Sequence, residues 1–380
     1  MELLFGIICG LFILVLLVVV HELGHAIVAH RNGVVVEEFG IGFPPRALAK
    51  KLKNGILFTL NWLPLGGFVR LKGEYDSAKG RGEYGAAGYW AKTRILLAGV
   101  LINWLVAVVL LSVLAVTGMP QVLTNQFTVR SDTKIVMKPL EIVAISDGSP
   151  AQRAGLEIGD ELMKVNDAVL ASPLALQEQT ETEKGRQIDL TYTRQGETKV
   201  ARIQLRDNAE KGGYLGVGAG QRQFSKSTWS APIVGVVTTG QFTWETLKGL
   251  GGLLAKTAKG LVMQFSSHDQ TRKEAKRNLS EASESVAGPI GILGTLFPAA
   301  ERAGVTQLTF LTAIISLTLA VMNALPIPAL DGGRWWAMTI FRLIKKPLTK
   351  DREELIQATG FLILLGLIVL ITVVDIKRFF

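Results

Sequence analysis

The sequence predicts a multi-pass α-helical membrane protein of about four transmembrane helices, interrupted by a soluble α+β insertion. Three observations carry this. The 380 residues are 48% hydrophobic with positive mean hydropathy, too apolar for an ordinary soluble enzyme. Four stretches are apolar enough to span or nearly span a bilayer: 3–29, 95–118, 308–325 and 361–374, the last beginning nearer Gln357. Between the second and third lies the long segment 119–307, of mixed composition.

The first stretch has no basic residue ahead of it and no Ala-x-Ala-like cleavage site, so it reads as a retained helix rather than a signal peptide. Its Cys9 is the only cysteine, which excludes a disulfide framework and cysteine-based zinc sites and leaves a packing role. The net charge of +9 comes from bases spread along the chain without aromatic interleaving, which argues against nucleic acid. Eleven Lys and Arg fall in 30–94 and six in 327–357. By the positive-inside rule both loops are cytoplasmic, the N-terminus is outside, and 119–307 is extracytoplasmic.

Within the first loop, 55–72 (GILFTLNWLPLGGFVRLK) is extended in character and broken by Pro64 and Gly66-Gly67, which fits a β-hairpin. Its apolar tip suits a hairpin that dips towards the membrane; a cytoplasmic hairpin packed on a helix end is the alternative. In the external segment, strand-like runs at 140–145, 187–192 and 199–205 surround a helical stretch at 174–182, giving one small domain. Residues 229–265 are Gly-rich and apolar, with Trp229 and Trp244, and read as a helix in the membrane interface or packed on the soluble domain. Residues 266–285, which include a solvent-facing His268, read as a polar linker.

Residues 21–25 read His-Glu-Leu-Gly-His, directly after eighteen residues, 3–20, that carry no charge. Ionisable groups at membrane depth are costly and mark function by default. Histidines four apart share a helix face, the spacing that binds one Zn²⁺, with Glu22 beside the attacking water. A zinc hydrolase needs a third protein ligand, and Asp331 is the carboxylate candidate at membrane depth. It follows a helix broken by Pro326 and Pro328, a break tolerated where it lines a cavity. A turn carboxylate before Gly332-Gly333 is the other reading of Asp331. Asp375 sits near the outer end of the last helix, on the wrong side, and His30 is read as interfacial. The pattern points to a metalloprotease working inside the membrane; polar helix residues satisfied within a bundle are the bland alternative.

Several stretches together carry a resemblance. They are HELGH at 21–25, PLGGFV at 64–69, AGVLIN at 98–103, VAGPIG at 286–291 and NALPIPALDGG at 323–333. On these the chain resembles the site-2 protease family of intramembrane zinc metalloproteases, in the bacterial branch that cleaves anti-sigma factors and remnant signal peptides. Val100 stands where that family commonly has proline. Gly148-Ser149-Pro150-Ala151, Ala154-Gly155-Leu156 and Gly159-Asp160 resemble a PDZ domain of the same branch, with room for one copy.

The resemblance implies Zn²⁺ held by His21, His25 and Asp331, with Glu22 taking a proton from the water and returning it to the leaving amine. Asn103 would bind substrate or polarise its carbonyl, an interhelical hydrogen bond being the alternative. Gly66, Gly67 and Phe68 would pair with an unwound substrate strand, and Asn323 and Pro326 would also contact substrate. The implied domains are a first membrane half (1–118) with a membrane-reentrant β-hairpin (55–72), an extracytoplasmic PDZ-like domain (128–220), an interfacial helix and linker (225–290), and a second membrane half (291–380). The PDZ-like domain would filter substrates by size or bind a newly exposed C-terminus. The implied location is the bacterial inner membrane, with the active site near the cytoplasmic side. The partners would be single-pass membrane proteins or signal-peptide remnants and the lipid bilayer, with no nucleic acid; the sequence leaves oligomeric state open. Two readings from other classes compete. A silent membrane scaffold is disfavoured by the intact Glu22, and a metal transporter by the lack of an inverted repeat.

Overall fold

The computed structural model describes residues 2–194, 196–209, 212–264, 274, 277 and 288–379. The chain divides into two compact units, Met1–Thr117 with Ala231–Phe380, and Gly118–Ser230.

In the first unit, four helices among the described residues are long and apolar enough to cross a membrane: Leu3–Arg31, Ala98–Thr117, Val305–Ala324 and Lys350–Ile376. Helix α1 (Glu2–Arg31) buries Leu17, His21, Gly24, His25 and Ala29 along one face, at the i, i+4, i+7 spacing of a helix stripe. Its other face exposes Phe5, Ile8, Phe12, Leu16, Leu23 and Ile27, a hydrocarbon surface that water would penalise and lipid accepts. The second expected span opens later than 95, because Ile95 and Leu96 end a separate short helix, α2 (Tyr89–Leu96), before α3 (Ala98–Thr117). The last span starts earlier than expected. Helix α10 (Lys350–Phe379) begins with two charged turns that hydropathy cannot detect, and Glu353 there is buried.

Between α1 and α2, strands β1 (Val36–Lys51) and β2 (Leu57–Leu71) form a sheet of their own. The stretch 55–72 does not close on itself as the sequence suggested. Gly40 pairs with both Phe68 and Thr59, and Lys51 with Leu57, so the two arms of β2 flank the first half of β1. The sequence missed β1 because Gly40, Gly42 and Pro44-Pro45 read as breakers, whereas here they mark the bend between its halves. Within this sheet the Glu38 carboxylate is buried and meets Arg46, Arg70 and the Thr59 hydroxyl.

Helix α6 (Ala231–Gln264) belongs to the membrane unit in its first half, where Ala231, Val234, Thr238, Thr239 and Phe242 are buried. The Trp104 indole N–H of α3 donates to the Thr243 hydroxyl at 3.2 Å. The expected polar linker and His268 lie outside the described residues. After a short helical stretch at Pro289–Gly291, helices α7 (Phe297–Arg302), α8 (Val305–Ala324), α9 (Asp331–Leu343) and α10 complete the unit.

In the second unit, β3 (Met119–Pro120), β4 (Lys134–Ile145), β5 (Glu161–Val165), β6 (Ala168–Val169), β7 (Gln187–Arg194), β8 (Glu197–Gln204) and β9 (Val217–Lys226) form one sheet, ordered β3-β9-β4-β5-β7-β8 with β6 on β5. The expected strand-like runs fall in β4, β7 and β8. Strand β7 alternates buried Ile188, Leu190 and Tyr192 with half-buried polar residues, the period-2 pattern of a one-sided strand. Strand β9 escaped notice because VGAGQRQ carries two glycines and no alternation. Helix α4 (Pro150–Arg153) is a single turn, and α5 (Pro173–Thr182) starts on Ser172, whose hydroxyl accepts from the Ala175 N–H with Pro173 in the first turn.

Candidate metal centre

The centre is built where α1, α3 and the start of α9 meet. His21 and His25, one turn apart on α1, turn their Nε2 atoms to within 3.2 Å of each other. The same atoms lie 3.0 and 3.1 Å from Asp331 Oδ2. Three ligand atoms that hold zinc at about 2.0–2.1 Å in a tetrahedron stand about 3.3 Å apart, so this spacing is that of a metal's coordination shell. The outward nitrogen of His25 fixes its tautomer. His25 Nδ1–H donates to the Ile95 carbonyl at 2.7 Å, which leaves its Nε2 lone pair free for a metal. The imidazoles are about one-tenth exposed and the Asp331 side chain one-quarter, so the centre is reached past the carboxylate. Among the described residues this is the one group of three such side chains placed to share an ion.

Two glycines allow the approach. A Cβ at Gly24 would stand 2.9 Å from the Ala98 carbonyl oxygen, and one at Gly99 would stand 2.5 Å from both His21 Nε2 and His25 Nε2. Asp331 is delivered by a bend rather than by a continuous helix. Helix α8 ends at Ala324, and Ala329 takes a left-handed φ of 75° that non-glycine residues avoid. Its N–H donates to the Gln357 side-chain oxygen of α10 at 2.7 Å. Asp331 then opens α9, where Gly333 lies against the Ile327 carbonyl.

Glu22 lies beside the histidines on α1 and accepts a hydrogen bond from the Val69 backbone. A Cβ at Gly67 would lie 3.6 Å from Glu22 Cγ and 3.4 Å from Val18, so β2 runs along α1 at the turn that carries Glu22. Gly66 sits at the bend with φ of 85°, against the Phe43 ring, and Phe68 packs its ring over Gly40. Asn323 is half-buried at the end of α8 and Pro326 is exposed in the bend. Asn103 is buried, and its Nδ2 lies 3.3 Å from His21 Nδ1. Asp375 is elsewhere: its carboxylate accepts from the Gly291 N–H at 2.9 Å.

Sequence reasoning passed over a supporting layer. Arg334, one turn past Asp331, pairs with Glu353 of α10, and its guanidinium also donates to the Glu74 carbonyl. A base three residues after the third ligand, on the same helix face, was the available signal.

The sequence model of peptidase family M50 matches residues 9–367. The chain belongs to that family. A relative from Clostridium perfringens, provisionally named a zinc metalloprotease, is 30% identical over 95% of each chain. Proteins named zinc metalloprotease RasP from Geobacillus kaustophilus and Bacillus licheniformis are 24% and 25% identical over 96% of this chain. Membership of family M50, the site-2 proteases, makes the chain a zinc metalloprotease and a bacterial membrane protein. The donor set of two imidazoles and a carboxylate is one that zinc accepts.

Proposed function

We propose that this family M50 member hydrolyses peptide bonds in or near the transmembrane segments of single-pass membrane proteins, with anti-sigma factors and remnant signal peptides as the substrate classes. One observation carries the reading: Asp331, at the start of α9, lies within hydrogen-bond distance of His21 and His25 on α1, a helix apolar enough to span a bilayer that also carries Glu22. His21, His25 and Asp331 would hold zinc, which when bound would supply the Lewis acidity for making water a nucleophile at neutral pH. Glu22 takes the proton from the attacking water and returns it to the leaving amine.

A transmembrane substrate arrives as a helix, and its scissile bond is hidden in the intrahelical ladder. The backbone at 66–68 receives the unwound segment by β-addition. The closeness of Gly67 to Glu22 supports this, because a strand paired there lies beside the base. The sheet's bend exposes Trp62, Leu63 and Phe43, which suits a membrane-reentrant element. Asn323, at the end of α8, and Pro326, exposed in the bend before Asp331, would contact substrate from that side.

The active site lies towards the cytoplasm, between basic loops 30–94 and 327–357, in the inner membrane with the N-terminus outside. The unit Gly118–Ser230 is then extracytoplasmic and PDZ-like. Between α5 and the start of β9 it has a cavity of about 320 Å³ lined by Leu176, Thr180, Tyr214, Leu215 and Val217, where a newly exposed C-terminus would bind.

The test is purified full-length chain in lipid vesicles with a panel of single-pass membrane proteins, comparing wild type and Glu22→Gln by product mass. Cleavage within or beside the membrane segment by wild type alone is expected. Cleavage confined to soluble loops, or equal in both proteins, overturns the reading.

A further inference from the structure

Asn103 is 1% exposed, enclosed where α3 meets α1 and α8. No substrate reaches a side chain so placed without the helices parting. Its backbone carbonyl accepts the Ser316 hydroxyl of α8 at 2.8 Å, which pins this turn of α3. Gly99, one turn earlier on the same face, admits the two imidazoles. The Asn103 amide therefore addresses a histidine, and the atom it addresses is Nδ1 of His21, on the far side of the ring from the cluster.

The hydrogen bonding of this pair is half made. Nδ2 stands 3.3 Å from His21 Nδ1, whereas Oδ1 is buried with no hydrogen-bond partner. A buried amide oxygen without a donor is unfavourable, so a partner for Oδ1 is gained rather than traded. The arrangement suits a His21 whose proton sits on Nε2. When Nε2 ligates a metal, the ring proton sits on Nδ1, and an amide N–H facing it would oppose donor to donor. Half a turn of the amide brings Oδ1 to Nδ1, where it accepts that proton and gains the partner it lacks. Asparagine carries donor and acceptor on one flat group, so one residue serves both tautomers of His21.

We propose that Asn103 is a positioning residue for the metal centre: its side-chain oxygen accepts the Nδ1 proton of His21 and fixes the ring with Nε2 towards zinc. It does for His21 what the Ile95 carbonyl does for His25. This replaces the sequence-based reading of Asn103 as a substrate contact, and it rests on His21 being a zinc ligand.

The experiment uses full-length chain in detergent micelles. Zinc affinity is measured by competition with a chromophoric chelator, and the ligand-field spectrum is recorded after cobalt substitution. Asn103→Leu keeps the size and removes the acceptor, so zinc affinity falls about 10–100-fold and the cobalt bands shift. Asn103→Asp restores an acceptor and brings both back towards wild type. With zinc saturating, KM for substrate is unchanged in either variant. Wild-type zinc affinity in Asn103→Leu, or a raised KM at unchanged affinity, overturns the proposal and returns Asn103 to the substrate. If Asn103→Leu fails to fold, Asn103→Asp decides alone: retained zinc supports the oxygen acceptor, and lost zinc overturns it. His21→Ala separates the two claims. Undiminished zinc binding in His21→Ala removes the ligand set itself, whereas loss there with no loss in Asn103→Leu removes only the role of Asn103.

Discussion

Arg334 and Glu353 form an ion pair at 3.0 Å, one helical turn beyond Asp331, and Glu353 is buried while it does so. The pair ties the first turn of α9 to the first turn of α10. Glu353 also accepts the Asp76 backbone N–H at 2.8 Å, and the Arg334 guanidinium stacks over Tyr84 at 4.9 Å. The segment carrying Asp331 is thus held by charges that meet each other.

Breaking this pair is expected to act on both fold and metal. Glu353→Ala leaves a largely desolvated guanidinium without its anion, which costs roughly 3 kcal/mol. Denaturation in detergent should show that loss, and zinc content should fall with it because the start of α9 is no longer anchored. A stable Glu353→Ala protein with full zinc would mean that the bend at 325–330 holds Asp331 unaided.

Glu22→Gln is expected to retain one zinc per chain and to lose turnover, since the base is removed and the ligands are kept. Metal analysis of the purified variant beside its rate on one membrane substrate measures both. Lost zinc would make Glu22 a ligand or a structural residue.

Asp331→Ala should lower zinc occupancy and activity together. Asp375→Ala should separate them from stability. Its carboxylate caps the turn at 288–291, so removal costs about 1–2 kcal/mol while zinc stays bound. Full zinc and full activity in Asp331→Ala would send the search for the third ligand elsewhere.

The second unit should weaken in acid. Burial would raise the Asp132 carboxyl, but the side chains and backbone N–H groups of Ser230 and Thr228 donate to it and hold it down at about 2. Asp160, with burial also opposing, is lowered by Arg194 and the Glu157 N–H. A lowered folded value means stability that is complete above the ordinary carboxylate pKa near 4 and lost as pH falls towards the folded one. Hydrogen exchange of β4 and β9 in the full chain, compared at about pH 6 and about pH 2, should show the loss. In Asp132→Asn, protection at the upper pH should already be weaker.

A cysteine-labelling map should place residues 50 and 345 in the cytoplasm, and residue 180 outside. Opposite sides for 50 and 345 would be incompatible with one ligand set drawn from α1 and α9.

The centre was legible because its letters are costly where they stand. Two histidines and a glutamate ending an uncharged run, and an aspartate after two prolines, have few cheap explanations in lipid. Asn103 was visible as a motif residue, but its target was not. Which atom it meets depends on how closely Gly99 brings α3 to α1, and that distance is a tertiary fact. The start of α10 was hidden because Lys350, Asp351, Arg352 and Glu353 lower the hydropathy of its first turn, although Glu353 is buried and paired with Arg334. Strand β1 was hidden because its glycines and prolines act at a bend between paired halves.

The contact at Gly99 has a use beyond this chain. A single methyl group there would collide with both Nε2 atoms, the ones that face Asp331. The position works as a gauge that can be read from letters alone. A homologous chain that still spells His-Glu-x-x-His but carries alanine at this place should be a metal-free impostor, unless its second helix has backed away.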